Sequence, residues 1–267
     1  MGYNGSVKFL GLRLNKKQKR WLEFLWTLTE KDIKVRYKFT VLGFLWMIVK
    51  PLLQMLMMGF VFQFFVPVKT DNYFIFLFTG LLPWNFFSTT VVRNVSSIVN
   101  ERFLIRKAQF PRETIVLSIV LSNFFHLFVS LVLFMLILLV FGLMSWKWPL
   151  LLFCLVVLLC LVSGLSLLLS ALNVKFRDSN FIVPLAMQLW FYATPVIYTL
   201  DLLPRNLSFL FYFNPMTSMV EIFRFLLIGV LPVSPNLLFV GLLLTVLIFV
   251  FGVLMFKKES PFFDDWL

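Results

Sequence analysis

The feature that most constrains this chain is the length of its uncharged apolar runs. Residues 114–141, 149–172 and 236–256 contain no Asp, Glu, Lys or Arg. As helices rising about 1.5 Å per residue, each is long enough for the roughly 30 Å hydrocarbon core of a bilayer. Three more runs, 39–66, 73–99 and 181–198, are of similar length but are interrupted by Pro51, Pro83, Pro184 and Pro195 and by polar residues. A segment in lipid must satisfy its own backbone hydrogen bonds, and runs this long without alternation do so as helices. The expectation is an all-α integral membrane protein with six transmembrane helices. Hydrophobic residues make up 61% of the chain and charged residues 13%. Soluble domains are nearer 45–50% and 25%, so no soluble domain is left over. The net charge of +12 would suit nucleic acid, but the cations gather at the ends of the apolar runs, where membrane orientation places them. No nucleic-acid partner is expected.

Residues 1–38 hold ten Lys or Arg against three acids. From Lys19 onward they have helical period, with Leu22, Leu25, Trp26, Thr29 and Ile33 on one face and favourable i,i+4 pairs at Glu30–Lys34 and Asp32–Arg36. This predicts an amphipathic helix lying in the membrane interface. The first long apolar run starts too late for a signal peptide. The domain reading is a cytoplasmic N-terminus at 1–38, a six-helix transmembrane domain at 39–256 and a cytoplasmic tail at 257–267. Eighteen Lys and Arg fall on the side of both termini and the central loop, against four on the other. Both termini are therefore expected in the cytoplasm.

Inside the first span, Lys50 lies about 17 Å of helix rise from residue 39. A cation at that depth is costly unless it faces protein or water, so Lys50 is placed on the interior side. The second half of the next span (Ser88, Thr89, Thr90, Arg93, Asn94) is too polar to face lipid and should line protein or a water-filled path. His126, among phenylalanines, reads as a packed residue, and Cys154 and Cys160 form neither a metal motif nor a disulfide framework. Residues 199–235 are neither a normal loop nor a span. Asn214-Pro215 is a helix start, and the apolar run that follows is too short to cross. Short re-entrant helices are expected there, with Glu221 and Arg224 paired at i,i+3 as a gate helix pair.

The central loop, 100–112, reads N-E-R-F-L-I-R-K-A-Q-F-P-R. A loop that only set topology would need polar residues, whereas this one holds apolar residues that have no lipid to face. Glu101, Arg102, Phe103, Leu104, Arg106, Lys107 and Phe110 are therefore read as a short helix gripped by another protein, with Phe103 and Leu104 on its apolar face and Phe110 as anchor.

The chain has no G-x-x-x-x-G-K-[ST] phosphate loop, no H-E-x-x-H, no paired-cysteine zinc pattern and no G-x-S-x-G. A nucleoside triphosphate could power it only through a partner. An enzyme acting on lipid-linked sugars would need carboxylates near the membrane surface, and only Asp71, Asp201 and Glu221 are available. A secondary transporter would show internal repeats, and none is seen.

Six motifs carry a resemblance. R-Y-K-F-T-V-L-G-F-L-W at 36–46 followed by Pro51, G-L-L-P-W-N-F-F-S at 80–88, F-P-R at 110–112, F-R-D at 176–178, T-P-V-I-Y at 194–198 and F-N-P-M at 213–216 resemble, in the same order, permease subunits of bacterial ABC exporters of surface polysaccharides. The resemblance covers residues 21–267. It implies export of a lipid-linked polysaccharide, most readily O-antigen, with capsule or teichoic acid precursors as the alternative, across the bacterial inner membrane. It implies a second copy of this chain and two cytosolic ATPase subunits that bind ATP and Mg, with no cofactor or metal on this chain. It also implies that residues 100–112 couple the ATPase and that 199–235 form a gate region. Sugars present apolar C–H faces and hydroxyl edges, so aromatic residues near polar or kinked backbone are candidates for the path: Trp46, Trp84, Phe86, Phe87, Trp190, Tyr192 and Tyr198, together with Lys50.

Overall fold

The computed structural model describes residues 16–38, 40, 43–65, 72–143, 145–202, 209–230 and 234–266. The basic residues of 1–15, Lys69, Pro204, Arg205 and Pro232 lie outside them. Among the described residues every regular element is helical. The α-helices are α1 (Lys16–Tyr37), α2 (Trp46–Phe65), α3 (Tyr73–Val95), α4 (Ser97–Asn100), α5 (Arg102–Lys107), α6 (Glu113–Val140), α7 (Leu151–Lys175), α8 (Ser179–Tyr192), α9 (Pro215–Ile228), α10 (Pro235–Glu259) and α11 (Phe263–Trp266). Four described helical units are long and apolar enough to cross a membrane: Tyr73–Val95, Glu113–Val140, Trp148–Lys175 and Pro235–Trp266. α2 is apolar but shorter, and α8 has 14 residues.

Two expected spans are corrected. The first, expected over 39–66, has its described α-helix from Trp46. Gly43, at φ 48°, turns the chain, a 3-10 turn covers Gly43–Leu45, and the α-helix starts at Trp46. Lys50 therefore lies about 6 Å of rise into α2 rather than 17 Å. The run 181–198 stops being helical at Tyr192. Pro195 disfavours helical geometry at Thr194 and has no N–H to continue the ladder, so 193–198 form turns.

Where the expected caps exist, the helices obey them. The Asn214 side chain accepts from the Met216 amide at 3.0 Å, Pro215 takes the first position, and Gly229, left-handed at φ 76°, ends α9. Ser234 caps α10 in the same way, accepting from Leu237 at 3.2 Å.

α3 runs through the middle of the bundle. Leu77, Leu81, Phe87 and Val91 are fully buried on it, packed with α6, α7 and α9. α7 and α10 form the most extensive helix pair. Their backbones meet at Gly164 and Gly252, where a Cβ on either would run into the other helix. Small residues allow this approach.

A second core, Ile98, Ile105, Ile115, Val116, Val174, Phe256 and Phe263, closes the end of the bundle that carries the central loop. α1 packs along α6 at this end. Trp21 donates from Nε1 to Thr114 Oγ1 at 3.0 Å, and Arg36 donates to Asn123 Oδ1 at 2.7 Å. Leu25 and Thr29 of the apolar face of α1 are buried against the bundle, while Trp26 of the same face is 59% exposed.

Candidate functional site

At the central loop the structure separates residues that the sequence grouped. The short helix predicted at Glu101–Phe110 is α5, Arg102–Lys107, with Glu101 standing between it and the short α4. Glu101 receives Lys31 at 3.3 Å. On α5 the residue turned inward is Ile105, not Phe103 or Leu104. At 3.6 residues per turn, Phe103 lies about 200° around the helix from Ile105. It is 64% exposed, with the Arg102 guanidinium 5.0 Å from its ring centroid. Arg102, Arg106 and Lys107 are exposed and Leu104 is half-buried. Phe110 is half-buried, its ring 4.9 Å from that of Phe24 on α1. Its side chain therefore already packs in part within this chain.

Arg112 of the F-P-R motif reaches the C-terminal segment. It donates to the Ser260 carbonyl and the Asp264 carboxylate, and its guanidinium lies 5.8 Å from the Phe263 ring centroid. Lys175 pairs with Glu259 at 2.6 Å. The central loop and the loop after α7 are thus tied to the same segment. Beside it a cavity of about 570 Å³ is walled by Arg106, Lys107, Phe110, Arg112 and Asp264.

Two larger cavities flank α2. One, of about 810 Å³, lies between α1, α2, α3 and α6 and is walled by Arg36, Tyr37, Trp46, Lys50, Gln54, Asn85, Phe86, Arg93, Asn123 and His126, among others. The other, of about 600 Å³, lies between α2, α3 and α8 and includes Gln54, Trp84, Asn85, Ser88, Thr89, Arg93, Gln188 and Tyr192. They share Gln54, Asn85, Thr89 and Arg93, and Asn85 donates to Gln54 Oε1 at 2.8 Å between them. α2 therefore stands as a partition, joined to α3 at that point by a side-chain amide bond.

Five of the eight path candidates line these cavities: Trp46, Lys50, Trp84, Phe86 and Tyr192. The other three are used elsewhere. Phe87 is fully buried with its ring 5.2 Å from that of Trp190. Trp190 donates from Nε1 to Asn214 Oδ1 at 2.9 Å, tying α8 to the start of α9. The Tyr198 hydroxyl donates to the Tyr192 carbonyl at 2.8 Å. The lining residues that sequence reasoning left out of its candidates are Gln54, Asn85, Gln188, Arg36 and Asn123. A lone amide in an apolar run, as at Gln54 and Gln188, was the available signal.

Polar bonds fix the floor of the larger cavity. Asp32 receives Arg93 at 2.5 and 2.8 Å and Arg36 at 3.4 Å. Arg36 Nη1 lies 3.1 Å from His126 Nδ1, and the Tyr37 hydroxyl lies 3.0 Å from the same nitrogen. Burial pushes the Tyr37 phenol up to about 12, so it remains a neutral hydroxyl.

The pair on α9 forms as its spacing predicts, Arg224 Nη1 to Glu221 Oε1 at 3.0 Å, with Arg224 fully buried. Arg224 also donates to the Val196 carbonyl at 2.7 Å and lies 3.7 Å from the Phe76 ring centroid, while Tyr73 donates to the Ile197 carbonyl at 2.9 Å. The turn that Pro195 forces leaves these carbonyls without helical partners, and Arg224 and Tyr73 satisfy them.

Comparison with known proteins places this architecture. The model of the ABC-2 type transporter family matches residues 23–228. An O-antigen export system permease protein RfbA of Klebsiella pneumoniae is 34% identical over 253 residues, 92% of this chain and 95% of the relative. A protein of the same name from Myxococcus xanthus is 35% identical over 218 residues, 80% and 83% of the two chains. The polysialic acid transport protein KpsM of Escherichia coli is 22% identical over 205 residues, 73% and 77%. The chain is a multi-pass membrane protein of transport rather than catalysis, and it belongs to the ABC-2 type transporter family.

Proposed function

We propose that this chain is the membrane-spanning half of an ATP-driven exporter that carries a lipid-linked surface polysaccharide, O-antigen in the first instance, across the bacterial inner membrane. Two copies form the pathway and two cytosolic ATPase subunits drive it, with ATP and Mg²⁺ bound on those subunits. The observation that carries the reading is the lining of the cavities beside α2. Trp84, Phe86 and Tyr192 supply ring faces for sugar C–H surfaces, while Gln54, Asn85, Ser88, Thr89 and Gln188 supply uncharged groups for hydroxyls. Such a wall offers many weak, similar contacts, which suits a polymer that slides. The relatives named for O-antigen export supply the polymer class.

In this reading α2 and α8, extended by the turns that flank them, complete six spans, and α1 rests at the cytoplasmic interface with both termini on that side. Residues 199–235 remain on the opposite side as the gate region, held by Glu221 and Arg224. Glu101–Lys107 is the surface that meets the ATPase, with Phe103 as its exposed apolar contact.

The test is transport into proteoliposomes containing this chain and its ATPase. Lipid-linked polysaccharide should cross only with ATP and only when both proteins are present. Equal transport without the ATPase would contradict the proposal.

A further inference from the structure

We propose that the cavity between α1, α2, α3 and α6 holds the phosphate-bearing headgroup of a lipid. Three cations converge on it from three helix ends: Arg36 in the last turn of α1, Arg93 in the last turn of α3, and Lys50 in the second turn of α2. Asp32 is the one acid paired with them among the described residues, and it serves both arginines. The site keeps an excess of positive charge.

The arginines have a local reason to be where they are, because a cation at a helix C-terminus complements the helix dipole. Lys50 has the opposite placement. It sits near the positive end of α2, with no hydrogen-bond or ion-pair partner among the described residues. Among the described residues no acid is paired with it to offset that placement, whereas an anion in the cavity would do so. A second, independent observation points the same way. Asn123 is 4% exposed and lines the cavity. Its Oδ1 is taken by Arg36, yet its amide Nδ2 has no partner. A buried donor left unpaired costs about 1–3 kcal/mol, and a phosphate oxygen would satisfy it.

The remaining wall selects a lipid over a bare anion. Trp46, Phe86 and Leu127 border the same space, and an inorganic phosphate has no use for them, whereas an isoprenoid or acyl chain does. The proposal uses the membrane placement of the chain and does not require that the exported polymer be O-antigen. If the lipid is the carrier of that polymer, the cavity is where its head is held before export.

The test is equilibrium binding of radiolabelled farnesyl diphosphate to the full-length chain in detergent, competed by unlabelled farnesyl diphosphate, phosphatidylglycerol, farnesol and inorganic pyrophosphate. Farnesol and pyrophosphate should each compete at least about tenfold more weakly than farnesyl diphosphate. Lys50→Gln should weaken binding about tenfold and Lys50→Arg by less than about threefold, since a charge-assisted bond is lost in one and kept in the other. Asn123→Asp keeps the acceptor for Arg36 and adds a negative charge, so it too should weaken binding. It provides a second reading if Lys50→Gln does not yield monodisperse protein. Competition by phosphatidylglycerol equal to that by farnesyl diphosphate would support the headgroup site and assign it to bilayer phospholipid. Weaker competition would support it and assign it to an isoprenoid diphosphate. Pyrophosphate competing as well as farnesyl diphosphate, farnesol doing so, or unchanged binding in both Lys50→Gln and Asn123→Asp would overturn the proposal. The assay needs neither ATPase nor polymer, so its failure leaves the transport reading standing, and a failure of transport leaves this result intact.

Discussion

At the scale of single residues, the buried pair Glu221–Arg224 is where charge is most consequential. Arg224 has no solvent exposure, and its bonds to Glu221 and to the Val196 carbonyl hold α9 against the turn that Pro195 creates. Removing one partner of a buried pair leaves an uncompensated charge, at a cost of about 3–5 kcal/mol. Glu221→Ala should therefore lower the thermal melting point of the purified protein sharply, whereas Glu221→Leu with Arg224→Met should recover much of the loss. Equal melting of wild type and Glu221→Ala would show that the pair has no structural weight. The i,i+3 spacing made this pair legible in the sequence. Its other two contacts, to a carbonyl 28 residues away and to the Phe76 ring, were not, because they depend on where the Pro195 turn places the chain. The aromatic residues teach the same lesson. Trp84 and Phe87 are three apart on one helix, yet Trp84 lines a cavity and Phe87 is sealed in the core. Only the neighbours of α3 separate them.

At the scale of elements, α5 and α1 divide the work of the central loop. Phe103 is exposed, while Phe110 supports α1 through Phe24. Phe103→Ala should weaken co-purification of the ATPase by about 30-fold, the loss of about 2 kcal/mol that an aromatic interface residue carries, and leave the melting point unchanged. Phe110→Ala should lower the melting point. A Phe103→Ala protein that binds its ATPase normally would move the docking surface elsewhere, the neighbouring basic cavity around Arg106, Lys107 and Arg112 being the next candidate. Close helix packing gives a third expectation. A Cβ on Gly252 would run into the Gly164 carbonyl, so Gly252→Ala should destabilise the α7–α10 pair by about 1–3 kcal/mol, read by the same melting measurement. The helix α1 itself was legible from its periodicity, but which of its residues pack on α6 was not. Apolar spacing does not register that Asp32 and Arg36 are drawn inward by Arg93, Asn123 and His126.

At the scale of the whole molecule, the long uncharged runs were sufficient to specify an all-helical membrane protein, and the Asn214-Pro215 start was sufficient to mark where α9 begins. What the sequence could not supply was depth. Counting from residue 39 put Lys50 mid-span, whereas the turn at Gly43 brings it near the end of the bundle, at the mouth shared with Arg36 and Arg93. That shift turns an isolated buried cation into part of a site. It leaves α2 as a short partition between two cavities, with Gln54 and Asn85 at the join. The central claim is that a sugar polymer passes along the cavity wall made by α2, α3 and α8. The most direct measurement is site-specific photocrosslinking in the reconstituted exporter, with a photoreactive phenylalanine analogue at Tyr192 and, as a control, at Val246, which is 50% exposed on α10 and lines neither cavity. During ATP-driven export, Tyr192 should form polysaccharide adducts and Val246 should form none. Adducts at Val246 with none at Tyr192 would contradict the account.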